Sequence, residues 1–206
     1  RRVEGEHSLS LDDILGQRVF SDVVAVACTQ ADSHAFTSSP AAKLGSIGSG
    51  IHFRVRIPFG CFIPKDMEGL LIAAKAISGE RDATSFCRMN ADIKNAGYAI
   101  GAAAAMAVKA GVRVRDIDLA ALQGELSRLD VLPAWAFQAE PRESVTDCLA
   151  KLQQTRLAGL DRLLHFLPPE ETIPELERCY ALSPKTDTEC ADSFLSEKSL
   201  QCMALA

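Results

Sequence analysis

At 206 residues, 48% of them hydrophobic, the chain is long enough to bury a core and is expected to fold as one domain of ordinary size, or one and a half. A net charge of −5, with the excess of acid in residues 141–206, excludes the clustered lysine and arginine of a nucleic-acid surface. The longest apolar run, 96–108, falls short of the roughly 20 residues that span a bilayer, so no membrane segment is expected.

The sequence opens Arg1-Arg2-Val3 without an initiator methionine and closes on Cys202-Met203-Ala204-Leu205-Ala206 in mid-pattern, so the chain is expected to be part of a longer protein. Ser10 is set to cap a short helix, with Asp12 and Asp13 in its first turn and Gly16 as its stop. Residues 19–28 are rich in valine and read equally as a strand or a buried helix. In the loop 37–50, Gly45, Gly48 and Gly50 run in the wrong order for GxGxxG, which favours a surface loop over a phosphate cradle. Residues 51–57 alternate, with Ile51, Phe53, Val55 and Ile57 on one face and His52, Arg54 and Arg56 on the other, predicting a half-buried strand. Pro58 and Pro64 bracket a segment that they are expected to keep extended.

Residues 70–78, LLIAAKAIS, form an almost continuous apolar run of strand length, the pattern of a strand covered on both faces in a parallel sheet. A polar connection over 79–89 leads to a long helix from Asn90 to Ala110, with Asn90 as cap, Asp92 in the first turn and Gly111 as the stop. Gly97, Gly101 and Ala105 recur every four residues along it. A helical glycine costs up to about 1 kcal/mol, so the stripe predicts that a backbone or a ligand packs close. Asp118 caps a further helix over 119–129. Residues 141–206 then hold amphipathic helices at 144–154, 156–167 and 172–182, the last with a Thr172/Glu175 capping box, in an arrangement similar to HEAT-like helix pairs.

In open α/β sheets, ligands lie beyond the carboxyl ends of strands and against helix amino termini, which here is the connection 78–92. It holds Ser78, Glu80, Arg81, Asp82, Ser85, Arg88, Asn90 and Asp92. A helix start carries roughly half a positive charge and stabilises a phosphate or the anionic edge of a reduced flavin. Arg88 reads either as a ligand group or as a partner of Asp82 or Asp92, and Lys75 either as a sheet-edge residue or as one aimed at a cofactor. The seven cysteines are scattered without a CxxC pair, which points to reduced structural thiols in a cytoplasmic protein and against a zinc site; no metal is expected.

Residues 1–140 resemble the carboxy-terminal half of FAD-dependent oxidoreductases of the glutathione-reductase-like type. The resemblance runs through RRVEGEHSLSLDDILGQRVFSD, Asp32-Ser33-His34, Ile57-Pro58-Phe59 with Ile63-Pro64, LLIAAKAIS, and RMNADIKNAGYAIGAAAA, in that order. It implies FAD as cofactor, with Ala73, Ala74 and Lys75 near its ribityl or pyrophosphate portion. Arg88 and the amides of Asn90, Ala91 and Asp92 would approach the isoalloxazine, and His34 would face a small-molecule substrate as an acid/base, while Ser78 is a candidate cofactor contact from its place in the polar connection. Ala74-Lys75 stands where Gly-Arg is usual in the family, and Arg81 where many members carry histidine.

The expected fold is therefore α/β: a partial Rossmann-like FAD-binding domain over 1–140, contributing its carboxy-terminal strand and helix, then an all-α appendage over 141–206. The expected activity is hydride transfer between an organic substrate and FAD. Two rival readings are a non-catalytic helical interaction module worked by residues 141–206, and another α/β enzyme with the same strand-then-helix pattern.

Overall fold

The computed structural model of the chain describes residues 3–29, 54–73, 75–139, 144, 147 and 168–182. The chain divides into two compact units, Arg1–Lys43 with His52–Glu140, and Leu44–Ile51 with Pro141–Ala206.

In the first unit the valine-rich stretch resolves as a strand, β1 (Val23–Ala27), buried along its whole length. It pairs antiparallel with β2 (Val55–Pro58), matching Ala25 to Ile57, Val26 to Arg56 and Ala27 to Val55, with an irregularity between Val23 and Ala25. β-Branched side chains suit this pleated, covered surface. The alternation in 51–57 predicted one wet face, yet Arg56 is only 3% exposed. Its guanidinium donates to the carbonyls of Ala136, Trp135 and Gln138 at 3.1, 3.0 and 2.7 Å. The polar face of the strand is thus covered by the turn 134–137, which the arginine fastens down. Residues 51–53 lie outside the described residues.

Two expectations of extended chain fail. Residues 70–78 form no strand: Leu70 is 40% exposed and Ala73 and Lys75 are exposed in irregular chain. Among its described residues the run is tied by Ile72 N to Phe62 O (2.9 Å), Val3 N to Ala76 O (3.2 Å), and the two backbone bonds of Ser78. A strand covered on both faces needs neighbouring strands, and among the described residues the sheet has two, both elsewhere. The parallel sheet expected around this run is accordingly replaced by a small antiparallel one, in a fold that is mixed α/β. The segment between Pro58 and Pro64 is also not extended. Phe59–Phe62 is a buried 3-10 turn, drawn in because Asp22 accepts the Phe59 amide on its carbonyl and the Gly60 amide on its carboxylate, at 2.8 and 3.2 Å.

The helices follow their signals more closely. α1 (Leu11–Leu15) starts on a reciprocal capping box between Ser10 and Asp13 and stops at Gly16. α2 (Arg81–Ser85) occupies the stretch read as a polar connection; it buries Ala83, Thr84 and Ser85, and Phe86 and Cys87 just beyond it are buried too. α3 (Asn90–Ala110) has its cap at Met89, one residue before the expected Asn90, and ends at Gly111 with φ +66°, a conformation that glycine adopts without strain. It lays Asp92, Ala96, Ala99, Ile100, Ala103 and Ala107 inward and packs on β1. α4 (Leu119–Arg128) starts on the Asp118 carboxylate, which accepts the Ala121 amide at 3.0 Å, and buries Leu122 and Leu126.

The small-residue stripe of α3 lies on its outer face. A Cβ added at Gly97 or Gly101 would meet nothing within 4 Å, so the close neighbour expected there is not supplied by the described residues. Tyr98 and Val108, 50% and 83% exposed, share that outward side.

In the second unit α5 (Pro169–Leu182) begins three residues earlier than its expected capping box. Pro169 suits the first helical position, and Thr172 donates its hydroxyl back to the Pro168 carbonyl at 2.9 Å instead of capping. Ser144 accepts the Asp147 amide at 3.1 Å, the bond of a helix start. The rest of the helices expected over 144–154 and 156–167 lies outside the described residues.

Candidate functional site

The amino end of α3 is built as an open donor set. Met89 adopts extended backbone and supplies no side-chain cap. The first amides of a helix have no partner within it, and those of Asn90, Ala91 and Asp92 make no hydrogen bond among the described residues. Asn90 and Ala91 are exposed and Arg88 is half-buried just ahead of them. Amide dipoles gathered at a helix start favour an anionic oxygen, and Arg88 precedes them in the chain by two residues.

Asp92 differs from its neighbours. It is 6% exposed, and its side chain turns away from the open amides toward the end of β1. One oxygen accepts the Cys28 amide at 3.2 Å and the other accepts the Thr29 hydroxyl. It therefore ties the helix start to the strand exit, from which residues 30–53 depart. No spacing in the sequence could have announced Thr29 as its partner, since the two are 63 residues apart.

The remaining expected residues separate. Ala73 and Lys75 are exposed, and Ala74 and His34 lie outside the described residues. Ser78 is 2% exposed. Its amide donates to Cys61 O at 3.0 Å and its carbonyl accepts from Leu9 N at 3.2 Å. A Cβ on Gly5 would come within 2.7 Å of the Ser78 Cβ, so Ser78 is packed against the amino-terminal segment. Arg88, Asn90, Ala91 and Asp92 are brought together at the helix start.

Cys28, Cys61 and Cys87 are free thiols. Burial pushes the Cys61 thiol up to about 12 and raises Cys28 and Cys87 as well, with the Asp92 charge adding to both of the latter. A thiol whose pKa is raised by burial is a poorer nucleophile at neutral pH. No group of three or more His, Cys, Asp and Glu able to hold a metal occurs among the described residues.

A second polar cluster escaped the sequence. The buried Asp13 carboxylate accepts Ser10 N at 3.0 Å and Arg18 at 2.9 Å, and lies 3.3 Å from His7 Nε2. Burial alone would raise this carboxyl, but Ser10, Arg18 and His7 together outweigh it and hold it below the ordinary 3.8. The His7 ring meets Phe20 edge-on at 5.2 Å, so the cluster braces α1 against the core. Ser10 and Asp13 have the spacing of a capping box, but no interval announces His7 and Arg18 as partners of Asp13.

A cavity of about 480 Å³ lies at the other end of α3, lined by Leu71, Ala104, Val108 and Val112 with Glu68 and Arg113 at its edge. From Asp92 to Ala104 is roughly 18 Å of helix, so this cavity is distinct from the donor set.

Those donors suit one edge of a flavin or a phosphate. They do not make a whole dinucleotide site, because the chain carries no GxGxxG. A mixed α/β unit whose longest helix offers open amides and an arginine at its start is of the class that holds anionic cofactors at helix termini. Residues 1–126 match the family model described as FAD dependent oxidoreductase, and the chain belongs to that family. Its cofactor is accordingly FAD and its chemistry flavin-dependent oxidation and reduction of a small molecule. The match ends within α4, short of residues 127–206. No curated protein and no solved structure matches the chain. Among the described residues no helix is long and apolar enough to cross a membrane.

Proposed function

We propose that this chain is the carboxy-terminal portion of a glutathione-reductase-like flavoenzyme that transfers a hydride between an organic substrate and FAD. The observation that carries the reading is the pairing of an open helix start with an open helix face. The amides of Asn90, Ala91 and Asp92 await an anion, while the Gly97/Gly101 side of α3 and the partly exposed run Leu70–Ala73 have the composition of surfaces that a Rossmann-like sheet covers.

FAD, when bound, supplies the hydride acceptor. The helix-start amides and Arg88 stabilise negative charge at the cofactor edge. Ala73, Ala74 and Lys75 approach its ribityl or pyrophosphate portion, the lysine as a counter-charge. Ser78, fixed by its two backbone bonds, holds the end of that segment in place. His34 receives or returns the substrate proton. Residues 141–206 form a helical appendage outside the catalytic unit.

The test is flavin content. The 206-residue chain purified alone is expected to carry little FAD, whereas the longer protein carries about one per chain. Stoichiometric FAD in the 206 residues alone would overturn the division of the site, and none in the longer protein would overturn the placement of the cofactor.

A further inference from the structure

Asp92 stands at the third position of α3, where an acid commonly folds back to cap its own helix. Here it does not: both oxygens are committed to Cys28 and Thr29. The carboxylate is nine-tenths buried, and its charge is locked in place by an amide and a hydroxyl rather than free to swing or to be screened by water.

We infer that Asp92 is a positioning residue that holds a fixed negative charge behind the open amides of α3, lowering the reduction potential of the bound flavin while anchoring the exit from β1. The inference rests on the proposed placement of the flavin at that helix start. The amides and Arg88 favour negative charge on the cofactor, and reduction adds such charge. The buried Asp92 carboxylate in the same first turn opposes it, because Coulomb energies in a low-dielectric interior are large and poorly screened. Thr29 tempers the opposition by donating a hydrogen bond to the carboxylate. The pair therefore sets the strength of the anion site through charge, and the exit from β1 through geometry.

Three variants of the FAD-loaded longer protein separate this from simple packing. Asp92→Asn keeps an acceptor for the Cys28 amide but removes the charge. It is expected to shift the oxidised/reduced equilibrium of the flavin about tenfold toward reduction, or about 30 mV for a two-electron couple. Thr29→Val keeps the charge and removes its hydrogen bond, moving the potential the other way, and Thr29→Ser restores it. Loosened packing would move Asp92→Asn and Thr29→Val in the same direction, which overturns the inference. If Asp92→Asn does not fold, the Thr29→Val and Thr29→Ser pair decides alone: a potential unchanged or raised in Thr29→Val refutes it.

Arg88→Met distinguishes the two levels of the argument. If it lowers the potential while Asp92→Asn leaves it unchanged, the role of Asp92 fails and the flavin placement stands. If none of the variants moves the potential, the flavin is not at this helix start and both fail. A flavin-free measurement accompanies these: in the 206-residue chain the Cys28 amide is expected to be protected from hydrogen exchange and to exchange severalfold faster in Asp92→Asn. An unprotected Cys28 amide in the unmodified chain overturns the tie itself.

Discussion

Replacing Arg56 by methionine removes a buried guanidinium that no aliphatic side chain can imitate. Three carbonyls, of Trp135, Ala136 and Gln138, lose their donor at once, and the guanidinium also leaves the face of Trp135, over which it stands 5.3 Å from the ring centre. Charge-assisted bonds contribute about 1.5–3 kcal/mol each. Three on one side chain do not add, and removing the charge also removes its desolvation cost. The net loss expected is about 3 kcal/mol. With a urea dependence of about 2 kcal/mol/M, the unfolding midpoint falls by about 1.5 M. Trp135 is the single tryptophan of the chain, so its emission reports both the midpoint and the loss of the cation from its face. Arg54 also lies over that ring, at 5.4 Å, but is exposed, and Arg54→Met serves as the control with a shift below about 0.5 M. A midpoint in Arg56→Met within about 0.3 M of the parent, with unchanged emission, would refute the claim that this arginine fastens the turn to the sheet.

Asp13 makes stability depend on pH. Its folded carboxyl is held below the ordinary value, so its contribution is present above that value and lost as the pH falls through the folded one. Urea midpoints measured from about pH 6 down to about pH 3 are expected to fall less steeply in Asp13→Asn than in the parent; equal slopes would dismiss the idea. Glycines give an opposed pair. Gly5→Ala would bring its Cβ within 2.8 Å of the Gly60 carbonyl and is expected to cost about 1–3 kcal/mol. Gly101→Ala meets open space and should stabilise the 206-residue chain by up to about 1 kcal/mol. In the longer protein the same methyl is expected to reduce FAD content, and full flavin loading there would count against a covered α3 face.

What the sequence made legible was local chemistry. Ser10, Gly111 and Asp118 each act through groups a few residues away, and the helices they bound stand within a residue or so of expectation. What it concealed depends on distant neighbours. LLIAAKAIS has the hydropathy of a covered strand, but hydropathy states only that cover is wanted, and among the described residues of the run only Ile77 and Ser78 are buried. The 3-10 turn at Phe59–Phe62 exists because Asp22, nearly 40 residues earlier, accepts two of its amides. At the candidate site, Arg88 through Asp92 could be grouped from sequence because they are contiguous at a helix start. The side-chain direction of Asp92 could not, because Thr29 decides it.

The amino-terminal residues are threaded between two later segments. Glu6 and His7 donate to Ile63 and Gly60, Lys65 donates to Glu4, and Leu9 exchanges backbone bonds with Ser78 and Glu80. Each of these bonds closes a loop, the longest of roughly 70 residues, and loop-closure entropy must be met before the contact rewards it. During synthesis the first ten residues must therefore wait until residue 80 has left the ribosome, and a slow folding step governed by this threading is the expected kinetic signature.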